Sequence, residues 1–446
     1  MVKTKPIFYG HGFPEEDLRR QGQDVPGFFP ATLGMTLGDG QYTIVRKLGT
    51  GAFSSVWLAN DSRQHRYVVL KVLTCDATEA ILGPGGASLY ADREILRKMA
   101  TANDNSPGYA HITPFDDSFE RPELDILRKI ATGNNSSPGY EHIMAFYGSF
   151  LFTGPVGKHL CIVSEVLGQN LGQVRELRAS PRMNLPMALT KRITKHILSA
   201  LVYLHDVCGV VHTDLKDDCI LFRPSNVSEI VEWALDKEPS SVYDPIDYVD
   251  EVDTDCNPDV PVRSQPIPFS KSDDPALDEY HAVLVDFGCA QWVDRHFNES
   301  IQPVALRAPE VTLGYHWGTS ADIWNLGCLI MEWLIGLPLF ELPIFEDDLD
   351  PHHLNQMNDT LGEEFDPAFL AKCQHSAKYF NEDGTWKWRP RSTAIPLAES
   401  LKDLARPEGS SEFQDVERFV RRCLKLNPED RASARELLED AWLQGV

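Results

Sequence analysis

The chain has 446 residues, of which 42% are hydrophobic, so it can bury a large core, and long disorder is not the default expectation. Lys and Arg number 42 against 66 Asp and Glu, and a net charge of −24 argues against binding nucleic acid or an anionic membrane over most of the surface. A basic partner is favoured instead, although a need for solubility alone could also explain the acidity.

No apolar segment approaches the roughly 20 residues of a membrane span, and no N-terminal stretch has the basic start and apolar run of a leader. The nine cysteines are scattered without a C-x-x-C pair, which argues against a disulfide framework and against a zinc site. We therefore expect a soluble intracellular protein in a reducing compartment.

The predicted elements change character along the chain. Residues 1–40 are rich in Gly and Pro without a sustained period, and they predict an extended N-terminal arm. Short β-branched or aromatic runs then indicate an antiparallel sheet, and from Leu185 onward the pattern becomes mainly helical. A small β-rich half thus precedes a larger helical half; the clearest segments are Tyr42–Leu48, Ser55–Ala59 and Tyr67–Leu73 for strands, and Met187–His205, Ala321–Ile335 and Gln414–Leu426 for helices.

Two irregular segments interrupt this plan. Residues from Ile95 to Phe119 recur in outline from Ile126 to Phe150, and a local tandem duplication within residues 92–150 is the simplest explanation, because two copies cannot make a solenoid. Between Glu229 and Glu279 there are 15 acidic and 3 basic residues with many Pro and Ser, which predicts a disordered or loosely attached insert.

Glycines follow the first predicted strand in Gly49-Thr-Gly51-Ala-Phe-Ser54-Ser-Val56, and a second strand comes next. In such a hairpin the backbone N–H groups can approach phosphates closely, although a glycine-rich turn alone is a weak signal and is more often only a hairpin. Lys71 lies in an apolar strand, where burial of a lysine is costly unless it meets an anion such as a nucleotide phosphate. A lysine that reaches solvent at the sheet edge is the alternative.

Two acidic motifs occur further on, Val211-His-Thr-Asp214-Leu-Lys216 and Val283-Leu-Val-Asp286-Phe-Gly288. Each places a carboxylate just past an apolar strand, as a general base and a Mg²⁺ ligand require. Asp214 can accept the proton of a substrate hydroxyl, and Lys216 can neutralise charge on a phosphoryl group during transfer. Either tripeptide could be an ordinary turn, but their order after the glycine loop and Lys71, followed by Ala308-Pro-Glu310, makes chance agreement improbable.

These motifs resemble those of protein kinases from Tyr42 to Leu443, and among kinases they are most similar to the SR-protein kinases, especially their fungal members. The resemblance rests on Leu48-Gly-Thr-Gly-Ala-Phe-Ser-Ser-Val-Trp57, on threonine in His212-Thr-Asp214, and on Phe287-Gly-Cys-Ala-Gln-Trp292. It implies an α+β, two-lobed eukaryotic protein kinase fold. The N-lobe, an antiparallel sheet plus a helix, would span 41–167, and a mainly helical C-lobe would span 168–446 with an acidic spacer at about 224–280.

The resemblance also implies roles for individual residues. Leu48, Gly49, Gly51 and Val56 would cover ATP and Lys71 would hold its phosphates. The hinge backbone of Glu165 and Leu167 would contact adenine, while Asp286 would hold Mg²⁺. Two further roles would be structural: Asp322 would brace the catalytic loop, and Arg431 would pair with Glu310.

The family needs a helix glutamate that pairs with Lys71, and the duplication leaves its identity open. Glu123 precedes Leu127 by four residues, so both lie on one helical face; the first-copy pair at that spacing is Asp92 and Leu96. We favour Glu123 because its copy runs directly into the strands before the hinge, although its long connection from Lys71 counts against it.

One catalytic-loop position departs from the family. Cys219 stands where kinases carry the asparagine that ligates a second Mg²⁺, and a thiol is a soft, poor substitute. Two functions therefore remain open: an active serine/threonine kinase, which we favour, and a pseudokinase that binds or scaffolds. For the active kinase we expect ATP and Mg²⁺ as cofactors and basic Arg/Ser-rich proteins, such as SR splicing factors, as substrates. We further expect a monomer in cytoplasm and nucleus that contacts neither nucleic acid nor membrane.

Overall fold

The computed structural model describes residues 15–16, 18, 27–82, 122–134, 136–178, 182–243, 261–343, 348–402 and 412–445. The chain divides into two compact units. Unit 1 comprises residues 1–131, 144–169 and 223–275, and unit 2 comprises 132–143, 170–222 and 276–446. The first copy of the sequence repeat, including Asp92, lies outside the described residues. No described helix is both long and apolar enough to cross a bilayer.

Unit 1 is built on a six-stranded antiparallel sheet with strand order β1-β2-β3-β4-β6-β5. The strands are β1 (Thr36–Leu37), β2 (Tyr42–Gly51), β3 (Ser54–Asp61), β4 (Arg66–Leu73), β5 (Phe146–Gly154) and β6 (Gly157–Ser164). In β4, Val68, Leu70 and Val72 alternate with more exposed residues and are almost fully buried in the core of the sheet. The strands coincide with the β-branched and aromatic runs that predicted them.

Among the described residues, two helices follow strand β4 before β5, α1 (Cys75–Leu82) and α2 (Pro122–Thr132). In α2, Ile126, Leu127 and Ile130 are buried, as the spacing of one apolar helical face requires. Part of the predicted N-terminal arm also belongs to this core, because Phe29, Ala31 and Leu37 join the buried cluster of the sheet.

The expectation that the acidic insert is disordered or loose is wrong for its described parts. Residues of the insert form helix α5 (Val227–Lys237), which belongs to unit 1. Two helices of unit 2 precede it along the chain, α3 (Leu171–Leu177) and α4 (Met187–Val202). Ile230, Val231 and Ala234 form the buried face of α5, so a count of charges concealed an amphipathic helix.

A second contact secures the insert to strand β2. The buried Arg46 donates to the carbonyls of Ala234 and Glu238, where the helix C-terminus favours a cation. Beyond the undescribed residues of the insert, Gln265 N donates to the carbonyl of Lys47 at 2.9 Å, and Val262 and Ile267 are buried. The sequence predicted an insert in the C-lobe, whereas the described residues between Arg223 and Pro275 are grouped with unit 1.

Unit 2 is mainly helical, with two short two-stranded sheets, β10-β7 and β8-β9. These strands are β7 (Val210–Val211), β8 (Ile220–Phe222), β9 (Ala282–Leu284) and β10 (Gln291–Trp292). Helix α7 (Ser320–Ile335) is buried along nearly all its length, as its continuous apolar composition predicts. The other helices after β10 are α6 (Pro309–Leu313), α8 (Asp350–Leu361), α9 (Pro367–Leu370), α10 (Ser376–Tyr379), α11 (Leu397–Lys402), α12 (Glu412–Cys423) and α13 (Ala434–Leu438).

Candidate active site

The predicted catalytic residues of unit 2 lie on two loops that a small sheet holds side by side. Strands β8 and β9 pair antiparallel, with Ile220 opposite Leu284. Val285 N also donates to the carbonyl of Cys219 at 2.9 Å, which extends the pairing towards Asp286. The loop that carries Asp214 and the loop that carries Asp286 are therefore fixed to each other by backbone hydrogen bonds.

Asp322 braces the first of these loops, as the sequence predicted. Its buried carboxylate accepts hydrogen bonds from the backbone N–H groups of His212 and Thr213, both at 2.8 Å, and from His205 Nε2 at 2.8 Å. The two amides can reach one carboxylate because Thr213 takes a left-handed conformation with φ of 67°. Such a conformation costs a β-branched residue about 1–3 kcal/mol, which these charge-assisted bonds offset.

Asp214 and Lys216 form an ion pair at the end of this braced loop. Lys216 Nζ donates to Asp214 Oδ2 at 2.5 Å, and both side chains are partly accessible. Burial works to lower the pKa of Lys216, but the hydrogen bond to Asp214 and the charges of Asp214 and Asp286 raise it above its ordinary value. The ammonium therefore stays charged beside the proposed general base, where phosphoryl transfer needs a fixed cation.

Cys219 has a structural role in the same loop. Its thiol is fully buried and donates to the Asp214 carbonyl, with Sγ 3.3 Å from the oxygen. Burial, and next the negative charges of Asp286 and Asp214, raise the pKa of this thiol well above its ordinary value. A neutral thiol can brace the loop as an amide N–H would, but it lacks the hard oxygen that an asparagine offers a metal.

Asp286 occupies an exposed turn at the start of the second loop. Its φ of 62° is left-handed, a conformation that aspartate tolerates better than most residues. The residues on either side are anchored: the His212 ring lies edge-on to Phe287 with centroids 5.5 Å apart, and Thr213 Oγ1 donates to the Cys289 carbonyl at 2.7 Å. The carboxylate is thus presented at the surface of unit 2 by a rigid base.

The predicted ATP-covering residues of unit 1 lie on adjacent strands. Gly49 pairs with Val56 across β2 and β3, and Val56 pairs with Lys71 across β3 and β4. Leu48 packs against the hydrophobic cluster that contains Leu58 and Val166. A Cβ added to Gly49 would meet no protein atom within 4 Å, so the chain's own packing does not explain this glycine. The strand pairing is irregular between Lys47 and Gly49, where glycine is favoured, and the open space at Gly49 also leaves room for the close approach of a ligand.

Lys71 is half-buried in β4, and its backbone also faces Ile162 of β6. Its proposed partner Glu123 lies in helix α2, and Leu127, four residues on, is buried as the sequence predicted. The Glu123 side chain is outside the described atoms, so its pairing with Lys71 stays a prediction.

The predicted hinge begins where β6 ends. Glu165 N donates to the Ala145 carbonyl at 3.0 Å, and Ala145 N donates back to Glu165 Oε1 at 2.8 Å. Arg223 grips the same carboxylate with two hydrogen bonds of 2.8 and 2.9 Å. Because its amide and carboxylate are engaged inside unit 1, the carbonyl of Glu165 and the amide of Leu167 are the groups that we expect to face adenine.

The sequence analysis missed a network of ion pairs and hydrogen bonds that holds Asp217 of the catalytic loop in place. Arg175 pairs with Asp217 and, at 2.8 Å, with Glu332, while Trp333 Nε1 donates to Asp217 Oδ1 at 2.7 Å. The position of Asp217 directly after Lys216 could have marked it as a residue of the catalytic loop. Its partners are 42 and 116 residues away, so they could not be identified from the spacing of the sequence. The predicted pair of Arg431 and Glu310 is confirmed, with two hydrogen bonds of 2.7 and 2.9 Å and both side chains buried.

Comparison with known proteins agrees with this geometry. The family model for the protein kinase domain matches residues 276–443. A crystal structure of a kinase domain matches 94% of this chain and 99% of its own chain, with a TM-score of 0.59 and 21% sequence identity. That likeness shows the fold, and the chain therefore has the two-lobed α+β fold of the protein kinases.

Curated relatives define the family more narrowly. The serine/threonine-protein kinase SRPK of Physarum polycephalum is 30% identical over 98% of this chain and 93% of its own length. A serine/threonine protein kinase of Aspergillus fumigatus is 31% identical over 96% and 90%, and SRSF protein kinase 3 of Mus musculus is 24% identical over 94% and 88%. The chain belongs to the SR-protein kinase family of serine/threonine protein kinases, which use ATP and a divalent metal ion.

Proposed function

We propose that this kinase transfers phosphate from Mg²⁺-ATP to serine in basic, Arg/Ser-rich proteins such as SR splicing factors. The observation that carries the proposal is the ion pair of Asp214 and Lys216 on a loop whose amides are held by the buried Asp322. The relative SRSF protein kinase 3, which this chain matches over most of its length, supports the substrate class.

In this mechanism Asp214 accepts the proton of the substrate hydroxyl. Its carboxylate is partly accessible and is oriented by Lys216 from one side, so little rearrangement is required when a substrate arrives. Lys216 stays protonated and offsets negative charge on the phosphoryl group during transfer. Asp322 contributes only by position, because its three hydrogen bonds prevent the loop from relaxing.

The residues of unit 2 fit one Mg²⁺ better than two. Asp286 offers an exposed, hard carboxylate on an anchored turn, as Mg²⁺ prefers. Cys219 offers a buried neutral thiol, which is unsuited to this ion. When bound, the metal ion neutralises charge on the nucleotide phosphates. We infer that Asp286 is the main protein ligand and that the second position is weak.

Charge is the second support for a basic substrate. The chain carries a net charge of −24, and the exposed Asp348 lies two residues before the start of helix α8, where its Oδ1 accepts from Asp350 N at 3.2 Å. Asp350 is less available, because Tyr379 donates to its carboxylate at 3.1 Å, and the neighbouring Glu346 and Asp347 lie outside the described residues. An arginine-rich peptide would be steered to such a surface, and its binding would weaken as salt screens the charges.

Peptide phosphorylation tests the substrate class. Arg-Ser, Lys-Ser and Glu-Ser repeat peptides are compared at low and high salt; we expect the Arg-Ser peptide to have the highest kcat/KM and the largest loss with salt. Asp348→Asn should raise its KM, whereas Asp273→Asn, the same charge change at another exposed aspartate, should not. Equal phosphorylation of the acidic and Arg-Ser peptides would contradict the proposal, and no transfer to any peptide by an ATP-binding chain would favour a pseudokinase.

We also propose that the kinase acts as a monomer in cytoplasm and nucleus, where splicing factors are made and used, without contacting nucleic acid or membrane directly. The acidic charge supports the last two points. Imaging of a tagged chain and sedimentation of the purified protein test this proposal; exclusion from the nucleus or a stable dimer would contradict it.

A further inference from the structure

The rings of three histidines lie close together in unit 2, and none of the three has a role in the proposed phosphoryl transfer. His142 ends the 3₁₀ turn Pro138–His142, His196 lies on helix α4, and His281 directly precedes strand β9. Ring centroids are 4.2 Å apart for His142 and His196, 4.7 Å for His142 and His281, and 5.3 Å for His196 and His281. Glu141 joins the group beside His142.

Backbone hydrogen bonds set the tautomers of two of these rings. His142 Nδ1 lies 3.0 Å from the Ala282 carbonyl, and His281 Nε2 lies 3.2 Å from the Glu141 carbonyl. A carbonyl oxygen can only accept, so His142 carries its proton on Nδ1 and His281 carries its proton on Nε2. In the neutral form of each ring, the lone pair is on His142 Nε2 and on His281 Nδ1.

This is the arrangement that metal-binding histidines adopt. A ligating imidazole almost always donates its other N–H to a carbonyl or carboxylate, which fixes the ring and makes the ligand nitrogen more basic. The ligand atoms of Glu141, His142 and His281 all lie within 4.8 Å of one another. Glu141 Oε1 is 3.7 Å from His142 Nε2, and its side chain is 62% exposed, so a rotamer change can bring the carboxylate to the distance that a shared ion requires.

We propose that Glu141, His142 and His281 form a Zn²⁺ site that is separate from the phosphoryl-transfer residues. Two imidazoles and one carboxylate are a known zinc ligand set, and water completes the tetrahedron. The cysteine pattern argued against a zinc site, and this proposal departs from that expectation: the argument concerned cysteine ligands, and this site uses none.

The third ring supports the cluster without binding the ion. His196 Nδ1 accepts from Ala282 N at 3.1 Å, so its Nε2 carries the proton. The ring therefore stays neutral, and the Glu141 carboxylate supplies the negative charge that a cation needs among these basic groups.

The position of the site gives it a structural consequence. Ile143, next to His142, forms a parallel bridge with Leu284 of β9, two residues before Asp286. A Zn²⁺ ion held by Glu141, His142 and His281 would fasten the 3₁₀ turn to the start of the same strand. Zinc should thus protect this strand from opening.

Calorimetric titration of the metal-free full chain with ZnCl₂, without nucleotide, tests the proposal. We expect one equivalent to bind and Mg²⁺ to fail as a competitor, since hard ions disfavour imidazole. Co²⁺ should give the visible absorption of a tetrahedral site. His281→Ala and Glu141→Gln should each weaken Zn²⁺ binding by at least about tenfold, because even the loss of a residue that only supports a metal ligand lowers the affinity by about 10- to 100-fold. His375→Ala, which removes an exposed histidine elsewhere in unit 2, should leave it unchanged.

Two outcomes would overturn the site. One is the absence of Zn²⁺ binding by the parent chain. The other is binding that persists in both His281→Ala and Glu141→Gln, or that His375→Ala weakens equally, because the ion would then bind adventitiously. Glu141 is exposed, so its amide variant should fold even if His281→Ala does not, and a thermal melt of each variant verifies this.

Discussion

Replacing Cys219 with asparagine should make this kinase faster. The thiol donates to the Asp214 carbonyl from a fully buried position, and an asparagine Nδ2 can donate to the same oxygen while Oδ1 becomes available to a metal. The substitution therefore preserves the bond that braces the loop and adds the hard ligand that the loop lacks.

The size of the effect follows from these two contributions. One hydrogen bond replaces another, so the free energy of unfolding should change by no more than about 1.5 kcal/mol. Groups that support a metal site are worth about 10- to 100-fold, so kcat/KM for ATP should rise by about that factor, or about 1.4–2.7 kcal/mol. The KM for the peptide should not change, because Cys219 is buried and cannot contact it.

Steady-state kinetics over a Mg²⁺ titration measures this effect, with Cys219→Ala as the matched control. Alanine removes the donor to the Asp214 carbonyl without adding an oxygen, so it should lower activity rather than raise it. If Cys219→Asn is no faster than the parent at any Mg²⁺ concentration, or if alanine gives the same gain, a missing metal ligand does not limit the enzyme.

Three further predictions concern other parts of unit 2. Ser300→Ala should leave kcat/KM within about twofold, whereas Gln302→Ala should lower it about tenfold. Gln302 accepts from Ala308 N and donates to the Ala321 carbonyl, both at 2.9 Å, so it orders the segment before helix α6 without a phosphate group on Ser300. Peptide kinetics before and after phosphatase treatment shows whether packing or phosphorylation orders this segment. Arg431→Met should cost about 3–5 kcal/mol of unfolding free energy in urea melts by stranding the buried Glu310, and an unchanged melt would contradict the buried pair. Burial lowers the pKa of His353 to about 3, so the free energy of unfolding should fall by about 1.4 kcal/mol per pH unit as the pH decreases from about 6.5 towards 3. In urea melts at several pH values, His353→Phe should reduce this pH dependence by the equivalent of one proton. An unaltered pH dependence would exclude His353 as its source.

The sequence was most informative where a role depends on local pattern. The strand after the glycine loop was predictable from its run of β-branched and aromatic residues, and the roles of Asp322 and of the pair of Arg431 and Glu310 followed from the family resemblance. Cys219 was recognised as a departure from the family. Its bond to the Asp214 carbonyl was not, since that bond depends on the path of the turn.

Contacts between distant segments escaped prediction. Arg175 meets Asp217 and Glu332 only after folding, and single-sequence reasoning has no means of pairing such charges. The acidic insert misled for a different reason. Its net charge suggested disorder, yet Ile230 and Val231 supply enough apolar area for one helix to pack, and burial of a few residues outweighs surface charge that water can solvate.

The measurement that tests the central claim most directly is transfer of labelled phosphate from ATP to an Arg-Ser peptide by the parent chain and by Asp214→Asn. The asparagine keeps the shape of the side chain and an acceptor for Lys216, but it cannot take the proton of the substrate hydroxyl. We predict clear transfer by the parent and a loss of at least about 100-fold in kcat for the variant, with ATP binding retained. Equal transfer by both proteins, or none by the parent, would contradict the assignment of Asp214 as the catalytic base of an active kinase.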